Sequence, residues 1–217
     1  MSDRLIVGIV GFIGSGKDTV ANYLQHEHDF CRNSFASSLK DSLSAIFGWD
    51  RILLEGLTAE SRKWREQVDP WWASRLGIEN FTPRYAMQNF GTNLCRDNFH
   101  KDIWVASLEK KLSNTTTDIV VSDCRFTNEI SMLKKYNAKI IWVCRHPLPK
   151  WYTELCVELM HPKSPESRVR ELANMGIHAS EVEWVGMDYD YTVYNNGSLS
   201  DLREKVKNLV QSLRGTT

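Results

Sequence analysis

The 217-residue sequence lacks a surplus of charge of either sign. Lys and Arg together number 27, as do Asp and Glu, so the formal net charge is zero. Sequence-independent binding to nucleic acid needs an excess of Lys and Arg, because the phosphate backbone dominates that affinity. We therefore expect no nucleic-acid partner, and instead a small anionic ligand met by a local cluster of positive charge.

Long apolar runs and a cysteine framework are also missing. No apolar run approaches the roughly 20 residues that span a bilayer, and residues 1–4 lead into a strand-like run without a signal-peptide core or cleavage site. The five cysteines are widely spaced and form no CxxC pair, which argues against a zinc site or a disulfide framework. These absences predict a cytoplasmic protein with reduced thiols and no membrane partner.

The predicted elements follow the order of an α/β protein. A buried β-branched run at residues 4–10 leads through a glycine-rich turn into a helix at 17–24. Buried runs at 118–122 and 139–144 flank a helix at 127–136, and this order implies a parallel crossover unit. The other predicted elements are helices at 33–47, 58–67, 82–98, 102–112 and 200–213, a helical but proline-interrupted stretch at 147–183, a strand at 191–194, and a loop carrying Trp71 and Trp72.

The phosphate-binding signal lies directly after the first strand. Residues 11–17 read GFIGSGK, which fits the GxxxxGK core of the Walker A loop, with Gly11, Gly14 and Gly16 as its glycines and Ser15 among them. Glycines let backbone amides close on phosphate oxygens, and the following helix directs its positive dipole end at the same anion. Lys17 is suited to bridging the β- and γ-phosphates of ATP. A glycine-rich turn that binds nothing is the alternative.

The position after Lys17 departs from the full motif. The motif has Ser or Thr there to hold Mg²⁺, whereas this chain has Asp18, followed by Thr19. Either the Thr19 hydroxyl or the Asp18 carboxylate contacts the metal, and the sequence leaves both open.

Charged residues at two later strand ends are candidates for phosphoryl transfer. Asp123 and Arg125 follow the predicted strand at 118–122, and Arg145 follows the strand at 139–144. Ligands of open α/β sheets bind at this carboxyl edge. Asp123 could therefore order Mg²⁺ or orient the attacking oxygen, while the arginines neutralise phosphate charge. The alternative for Asp123 is the N-cap of the next helix.

Several helical residues are candidates for holding the acceptor. Gln88, Thr92 and Arg96 recur at a spacing of four and should share one helix face, where they would suit a base edge and a phosphate. A solvated helix face is the alternative for each of them. Further candidates are Lys40, Arg62, Lys63 and Arg65 as cations, Trp64 and Trp104 for stacking on a base, and Arg168, Arg170, His178 and Glu181 in a predicted lid.

These motifs together resemble the deoxynucleoside monophosphate kinases of tailed bacteriophages. The segments that carry the resemblance are GFIGSGKDTVANYL (11–24), SFASSLKD (34–41), QNFGTNLCRDNFHKDIW (88–104), SDCRFTNE (122–129), HASE (178–181) and NNGSLSDL (195–202). The GKDT form of the loop is itself similar to this family. Two alternatives stay open: a P-loop kinase for another small metabolite such as dephospho-coenzyme A, and a non-catalytic ATP-binding module.

The resemblance implies a three-layer P-loop NTPase fold with about five parallel strands, helices on both faces, and helical acceptor-binding and lid segments. The implied division of a single domain, 1–217, is a core at 1–48, 115–146 and 188–217, an acceptor region at 49–114 and a lid at 147–187. It also implies ATP with Mg²⁺ as donor, a deoxynucleoside monophosphate as acceptor, and a role in phage DNA synthesis in the host cytoplasm; monomer and homodimer stay open. The implied contacts are Leu39, Lys40 and Arg65 in the acceptor region, Gln88 and Thr92 near base and sugar, Asp123, Arg125, Asn128 and Glu129 beside the transferred phosphate, and Asn195, Asn196 and Gly197 at the adenine.

Overall fold

The structure is a computed structural model that describes residues 4–152, 177 and 183–215. The predicted lid residues Arg168, Arg170, His178 and Glu181 lie outside the described residues. The described chain divides into two compact units, one formed by residues 1–33 and 116–217 and the other by 34–115. Among the described residues, no helix combines the length and apolar character needed to cross a membrane.

The first unit is built on five parallel strands, which confirms the predicted fold class. The strands lie in the order β2-β3-β1-β4-β5, so the first strand is central and the second is at an edge. Gly8 of β1 pairs with Val121 on one side and Ile140 on the other. The strands are β1 (Ile6–Val10), β2 (Cys31–Asn33), β3 (Ile119–Val121), β4 (Lys139–Cys144) and β5 (Tyr191–Tyr194).

Helices cover both faces of this sheet because successive strand residues point to opposite sides. Val7 and Ile9 join a core formed with helices α1 (Lys17–Glu27) and α8 (Leu199–Gly215). On the other face, α7 (Thr127–Lys135) packs on β1 and β4. There, a Cβ added to Gly8 would lie 2.9 Å from the Leu133 side chain, so the small residue allows close packing of helix on strand.

The second unit is helical and packs around an aromatic core. Phe47 stacks on Trp49 with ring centroids 4.5 Å apart and contacts Trp72 and Phe81 edge-on or tilted. Its elements are α2 (Ser37–Phe47), a 3₁₀ turn (Leu53–Glu55), α3 (Ala59–Arg65), α4 (Pro70–Leu76), α5 (Pro83–Gln88), a π-helix (Asn89–Asp97) and α6 (Ile103–Ser113).

One prediction for the second unit was wrong, and another was confirmed in its extent but not in its type of helix. Trp71 and Trp72 lie in helix α4 rather than in a loop, because the Asp69 side chain caps the helix by accepting a hydrogen bond from the Trp72 amide at 3.1 Å. The helix predicted at 82–98 begins as expected, with Thr82 Oγ1 accepting from the Tyr85 amide at 3.0 Å, but changes to π-helix at residue 89. Such wide turns are rare and occur frequently at functional sites.

Candidate active site

In the glycine-rich loop between β1 and α1, the glycines adopt backbone conformations that other residues rarely adopt. Two of these glycines also leave no room for a side chain. Gly11, Gly14 and Gly16 have φ values of 149°, 77° and 100°. A Cβ on Gly11 would lie 2.5 Å from the backbone oxygen of Val143, and a Cβ on Gly16 would lie 2.4 Å from Asn195 Nδ2. Glycine is therefore required at these two positions by both conformation and space.

Two side chains of this loop carry polar atoms suited to phosphate. Lys17 is the first residue of α1, and its Nζ donates to the backbone oxygens of Gly11 and Phe12 at 2.7 and 2.9 Å, so the ammonium group closes over the loop. Ser15 is buried, and its Oγ has no hydrogen-bond partner among the described residues. A buried hydroxyl normally has a partner, and a phosphate oxygen in the loop would supply one.

Asn195 holds the loop from the end of β5. Its Nδ2 donates to the Ser15 backbone oxygen at 2.8 Å, and its backbone amide donates to Cys144 O at 2.7 Å. The next residue, Asn196, accepts at Oδ1 from the His146 amide at 2.8 Å. The segment expected to flank adenine is thus bonded to the phosphate loop and to the end of β4; the last residue of the predicted set, Gly197, is exposed.

Charged residues follow the ends of β3 and β4, the two strands that flank β1. Both strands are neighbours of β1 in a parallel sheet, so their carboxyl ends share one edge with the phosphate loop. Asp123 lies two residues beyond β3 and is half-buried, and Arg145 directly follows β4 and is exposed. Helix α7 begins only at Thr127, so Asp123 is not its N-cap.

The Glu129 side chain accepts hydrogen bonds from backbone amides at the start of α7. Its carboxylate is buried and accepts from the amides of Arg125 and Phe126 at 2.9 and 3.1 Å, while Asn128 Oδ1 accepts from the Glu129 amide at 3.0 Å. Backbone donors at a helix start are otherwise without intrahelical partners. Glu129 therefore fixes the turn that presents the exposed Arg125 side chain.

Asp18 and Thr19, the two candidates for the metal, differ in their surroundings. The Asp18 carboxylate forms an ion pair with Arg32 of β2, a residue that the sequence did not single out. Thr19 is half-buried in the first turn of α1. Together with Asp123 they offer hard oxygen donors, which suit Mg²⁺ bound through one or two carboxylates and substrate phosphates.

In the second unit, Lys40 belongs to a network of ion pairs. It is buried, and its Nζ lies 2.5 Å from Glu55 Oε2. Arg51 also pairs with Glu55 and, through Nε at 2.6 Å, with Asp41. Burial alone would raise the pKa of Glu55, but the hydrogen bonds and charges of Lys40 and Arg51 outweigh it and lower that pKa. The carboxylate is therefore ionised and holds Lys40 in place.

Arg65 is an acceptor candidate with a buried polar atom that lacks a partner among the described residues. That atom is its Nε. Its guanidinium packs against Gly56, where an added Cβ would lie 2.2 Å from the Arg65 Cζ. Burial lowers the pKa of Arg65, and the charges of Arg84 and Arg62 lower it further, although the carboxylates of Glu66 and Glu55 oppose this shift. An anion would relieve both the missing bond and the repulsion between cations.

The residues predicted for the base and sugar separate into exposed and buried groups. Gln88 and Thr92 are exposed, and Arg96 is half-buried, at the end of α5 and in the π-helix. Leu39 is buried beside Gly91. Trp104 lies in the core of the second unit, where its Nε1 donates to Gly91 O at 2.9 Å, and this burial supports packing rather than stacking on a base.

The fold and loop define the class of protein. A parallel sheet with the order β2-β3-β1-β4-β5, helices on both faces, and a GxxxxGK loop joining its central strand to a helix is a P-loop fold. Within that class, a profile of the family described as deoxynucleotide monophosphate kinase matches residues 72–153. This match confirms the resemblance stated from the sequence.

Two viral proteins with related names are similar to this chain in sequence. A protein of Acanthamoeba polyphaga mimivirus, provisionally named deoxynucleotide monophosphate kinase, is 26% identical over 223 residues, covering 96% of this chain and 97% of its own. The deoxynucleoside-5′-monophosphate kinase of Escherichia phage T5 is 24% identical over 186 residues, covering 61% of this chain and 73% of its own. Among solved structures, dephospho-CoA kinase from Campylobacter jejuni aligns over 97% of this chain and 98% of its own, with 15% identity and a TM-score of 0.45.

Proposed function

We propose that the protein transfers the γ-phosphoryl group of ATP to a deoxynucleoside monophosphate, forming ADP and a deoxynucleoside diphosphate. The observation that carries this proposal is the loop at residues 11–17, with its positive-φ glycines, its terminal Lys17 and the Ser15 hydroxyl that has no partner in the described part of the chain. The similarity to named kinases of deoxynucleoside monophosphates supports the choice of acceptor. A phage origin would place the reaction in the host cytoplasm, where it would supply DNA precursors.

ATP would bind through the loop and the ends of β4 and β5. Backbone amides of residues 11–17 would surround the phosphates, and the start of α1 would add its positive dipole end. Lys17 Nζ, which donates to Gly11 O and Phe12 O, would exchange those acceptors for phosphate oxygens. Asn196 and Gly197 would lie against the adenine.

Magnesium would be held through oxygen donors of the first unit. Thr19, Asp18 and Asp123 are the candidates, directly or through water, and the ATP phosphates would complete the coordination. Bound there, the ion would neutralise charge on the β- and γ-phosphates.

Recognition of the acceptor would rest mainly on the second unit. Lys40, Arg62 and Arg65 would bind its phosphate, and we place Arg65 first because its buried Nε lacks a partner among the described residues. The exposed Gln88 and Thr92 would meet the base and sugar. Leu39 would line the same acceptor region, and Arg96 would lie near the phosphate of the acceptor.

The chemical step needs no covalent intermediate. The acceptor phosphate is already an anion at neutral pH, so one of its oxygens attacks the γ-phosphorus in line while the bond to the β-phosphate oxygen breaks. The contribution of the protein is alignment and neutralisation of charge. Lys17, Arg125 and Arg145 would neutralise the transferred group, and Asp123 would orient the attacking oxygen. Asn128 and Glu129 would shape the turn beside the transferred group.

A panel of acceptors in a coupled ADP assay tests this function. The panel contains dAMP, dCMP, dGMP, dTMP, a hydroxymethylated dCMP, the ribonucleotides and dephospho-coenzyme A, with ATP and Mg²⁺ in each reaction. We expect ADP release that depends on one or more deoxynucleoside monophosphates. Release with dephospho-coenzyme A alone would transfer the assignment to that metabolite, and ATP binding without acceptor-dependent release would make the protein a non-catalytic module. Light scattering on the same sample distinguishes a monomer from a homodimer.

A further inference from the structure

Arg32 joins three polar side chains around the start of the loop helix. It belongs to the edge strand β2, and only 17% of its side chain is exposed. Its guanidinium donates to Asn22 Oδ1 at 2.7 Å and to Ser122 Oγ at 2.9 Å, and it forms the ion pair with Asp18. One planar group therefore links α1, immediately after Lys17, to the end of β3, immediately before Asp123.

The three partners explain why an arginine occupies this position. Asp18 and Asn22 are four residues apart on α1 and so lie on the same face of the helix. Ser122 is buried at the end of β3, next to β2 in the sheet. A guanidinium offers several donors in a fixed plane and can serve all three at once, whereas an ammonium group is a point charge.

Asp18 carries a negative charge at the place where a polyphosphate is proposed to bind. A carboxylate in the first helical turn is favourable for the protein alone, because it faces the positive end of the helix dipole. The same carboxylate would repel the phosphates of ATP. Arg32, which is largely buried, offsets that charge, while the Asp18 carboxylate itself is 64% exposed.

We propose that Arg32 is a positioning residue of the nucleotide site, which neutralises and fixes Asp18 so that ATP binds beside it. This inference rests on the proposed function. The paired Asp18 carboxylate is then a weak competitor for Mg²⁺, and direct contact with the metal passes to Thr19. Arg32 also ties this helix start to the strand end that leads to Asp123.

The test measures ATP affinity by calorimetry in the absence of divalent metal and again with Mg²⁺. Arg32→Met leaves the Asp18 charge uncompensated, and we expect metal-free ATP to bind about tenfold more weakly. With Mg²⁺ the loss should be smaller, because the metal cancels phosphate charge. The double variant Arg32→Met/Asp18→Asn should recover most of the metal-free affinity, since it removes the charge that needed cancelling.

The chain provides a matched control in the same unit. Arg203 of α8 pairs with Glu27, at the other end of α1, with 2.7 Å between Nε and Oε2. Arg203→Met removes an ion pair to the far end of α1, with a more exposed arginine than Arg32, and we expect ATP affinity to stay unchanged. Arg32→Lys keeps the charge without the planar donors, so its ATP affinity should fall between those of the wild type and Arg32→Met. If the Arg32→Met variants do not fold, Arg32→Lys and Arg32→Lys/Asp18→Asn replace them in the same measurements.

The outcomes separate this inference from the proposed function. Equal ATP affinity of Arg32→Met and wild type would overturn the inference, as would an affinity loss that Asp18→Asn does not reverse. In both cases the wild-type protein would still phosphorylate its acceptor. Absence of ATP binding to the wild type would instead contradict the proposed function.

Discussion

Gly11→Ala should destabilise the protein more than Gly14→Ala, because only Gly11 is closely surrounded by other atoms. Both residues have positive φ, 149° and 77°, so each substitution places a side chain in an unfavourable backbone conformation at a cost of about 1–2 kcal/mol. At Gly14 nothing lies within 4 Å of the new Cβ. At Gly11 the Cβ would lie 2.5 Å from Val143 O and 2.8 Å from Ser15 Oγ.

A backbone oxygen cannot rotate away, so the Gly11 variant must also shift the loop or β4. Such overpacking costs about 1–3 kcal/mol in addition to the backbone term. Urea unfolding followed by far-UV circular dichroism measures the free energy of unfolding of both variants and the wild type. We expect Gly11→Ala to lose about 1–3 kcal/mol more than Gly14→Ala. Equal losses would refute the close approach of the loop to β4.

Three further predictions concern single side chains. Arg65→Met should raise the KM for the acceptor about tenfold or more, because it removes a half-buried cation that we propose binds the acceptor phosphate, while Arg75→Met, at an exposed position of α4, should not. Glu55→Gln should lower the free energy of unfolding by about 1–3 kcal/mol at neutral pH. Because the pKa of Glu55 is lowered in the folded state, the ionised carboxylate stabilises the fold above its unfolded-state pKa, and this stabilisation disappears as the pH falls through the folded-state pKa. Burial raises the pKa of Cys124 well above its ordinary value, so iodoacetamide should modify the exposed Cys31 and spare Cys124 in the native protein, as measured by peptide mass spectrometry.

Each of these predictions has a contrary result. An unchanged acceptor KM in the Arg65 variant would remove that residue from the acceptor site. A Glu55→Gln penalty that does not decrease as the pH falls through the folded-state pKa of Glu55 would show that its charge does not stabilise the fold. Rapid alkylation of Cys124 in the native protein would contradict its burial at the end of β3.

The sequence predicted the parts of the fold that local patterns determine. The strand β1 and the loop after it are marked by a β-branched run and a glycine-rich motif, and β4 and β5 were predicted with their observed bounds. The edge strand β2 was missed because it has three residues and no apolar run. Helix α4 had a signal that could have found it, since Asp69 and Pro70 repeat the N-cap and proline pattern of the next helix.

Candidate site residues could be named from the sequence where chemistry and motif coincide, and were not named where the contacts are distant along the chain. Lys17 follows from the loop motif alone. Arg32 does not, because its partners Asp18 and Ser122 are 14 and 90 residues away, and neither spacing is a sequence pattern. Glu55 was missed for the same reason, since an isolated acid in a turn has no signature until Lys40 is seen beside it.

The turnover of Lys17→Ala tests the central claim most directly. The measurement is the coupled ADP assay with the best acceptor, alongside Lys139→Ala, which removes a lysine at the opposite end of the sheet. We predict that Lys17→Ala stays folded and loses a factor of about 100 to 1,000 in kcat, because it removes a charge that we propose contacts the transferred phosphoryl group, while Lys139→Ala retains its turnover. Turnover of a folded Lys17→Ala close to that of the wild type would contradict the assignment of this loop as the site of phosphoryl transfer.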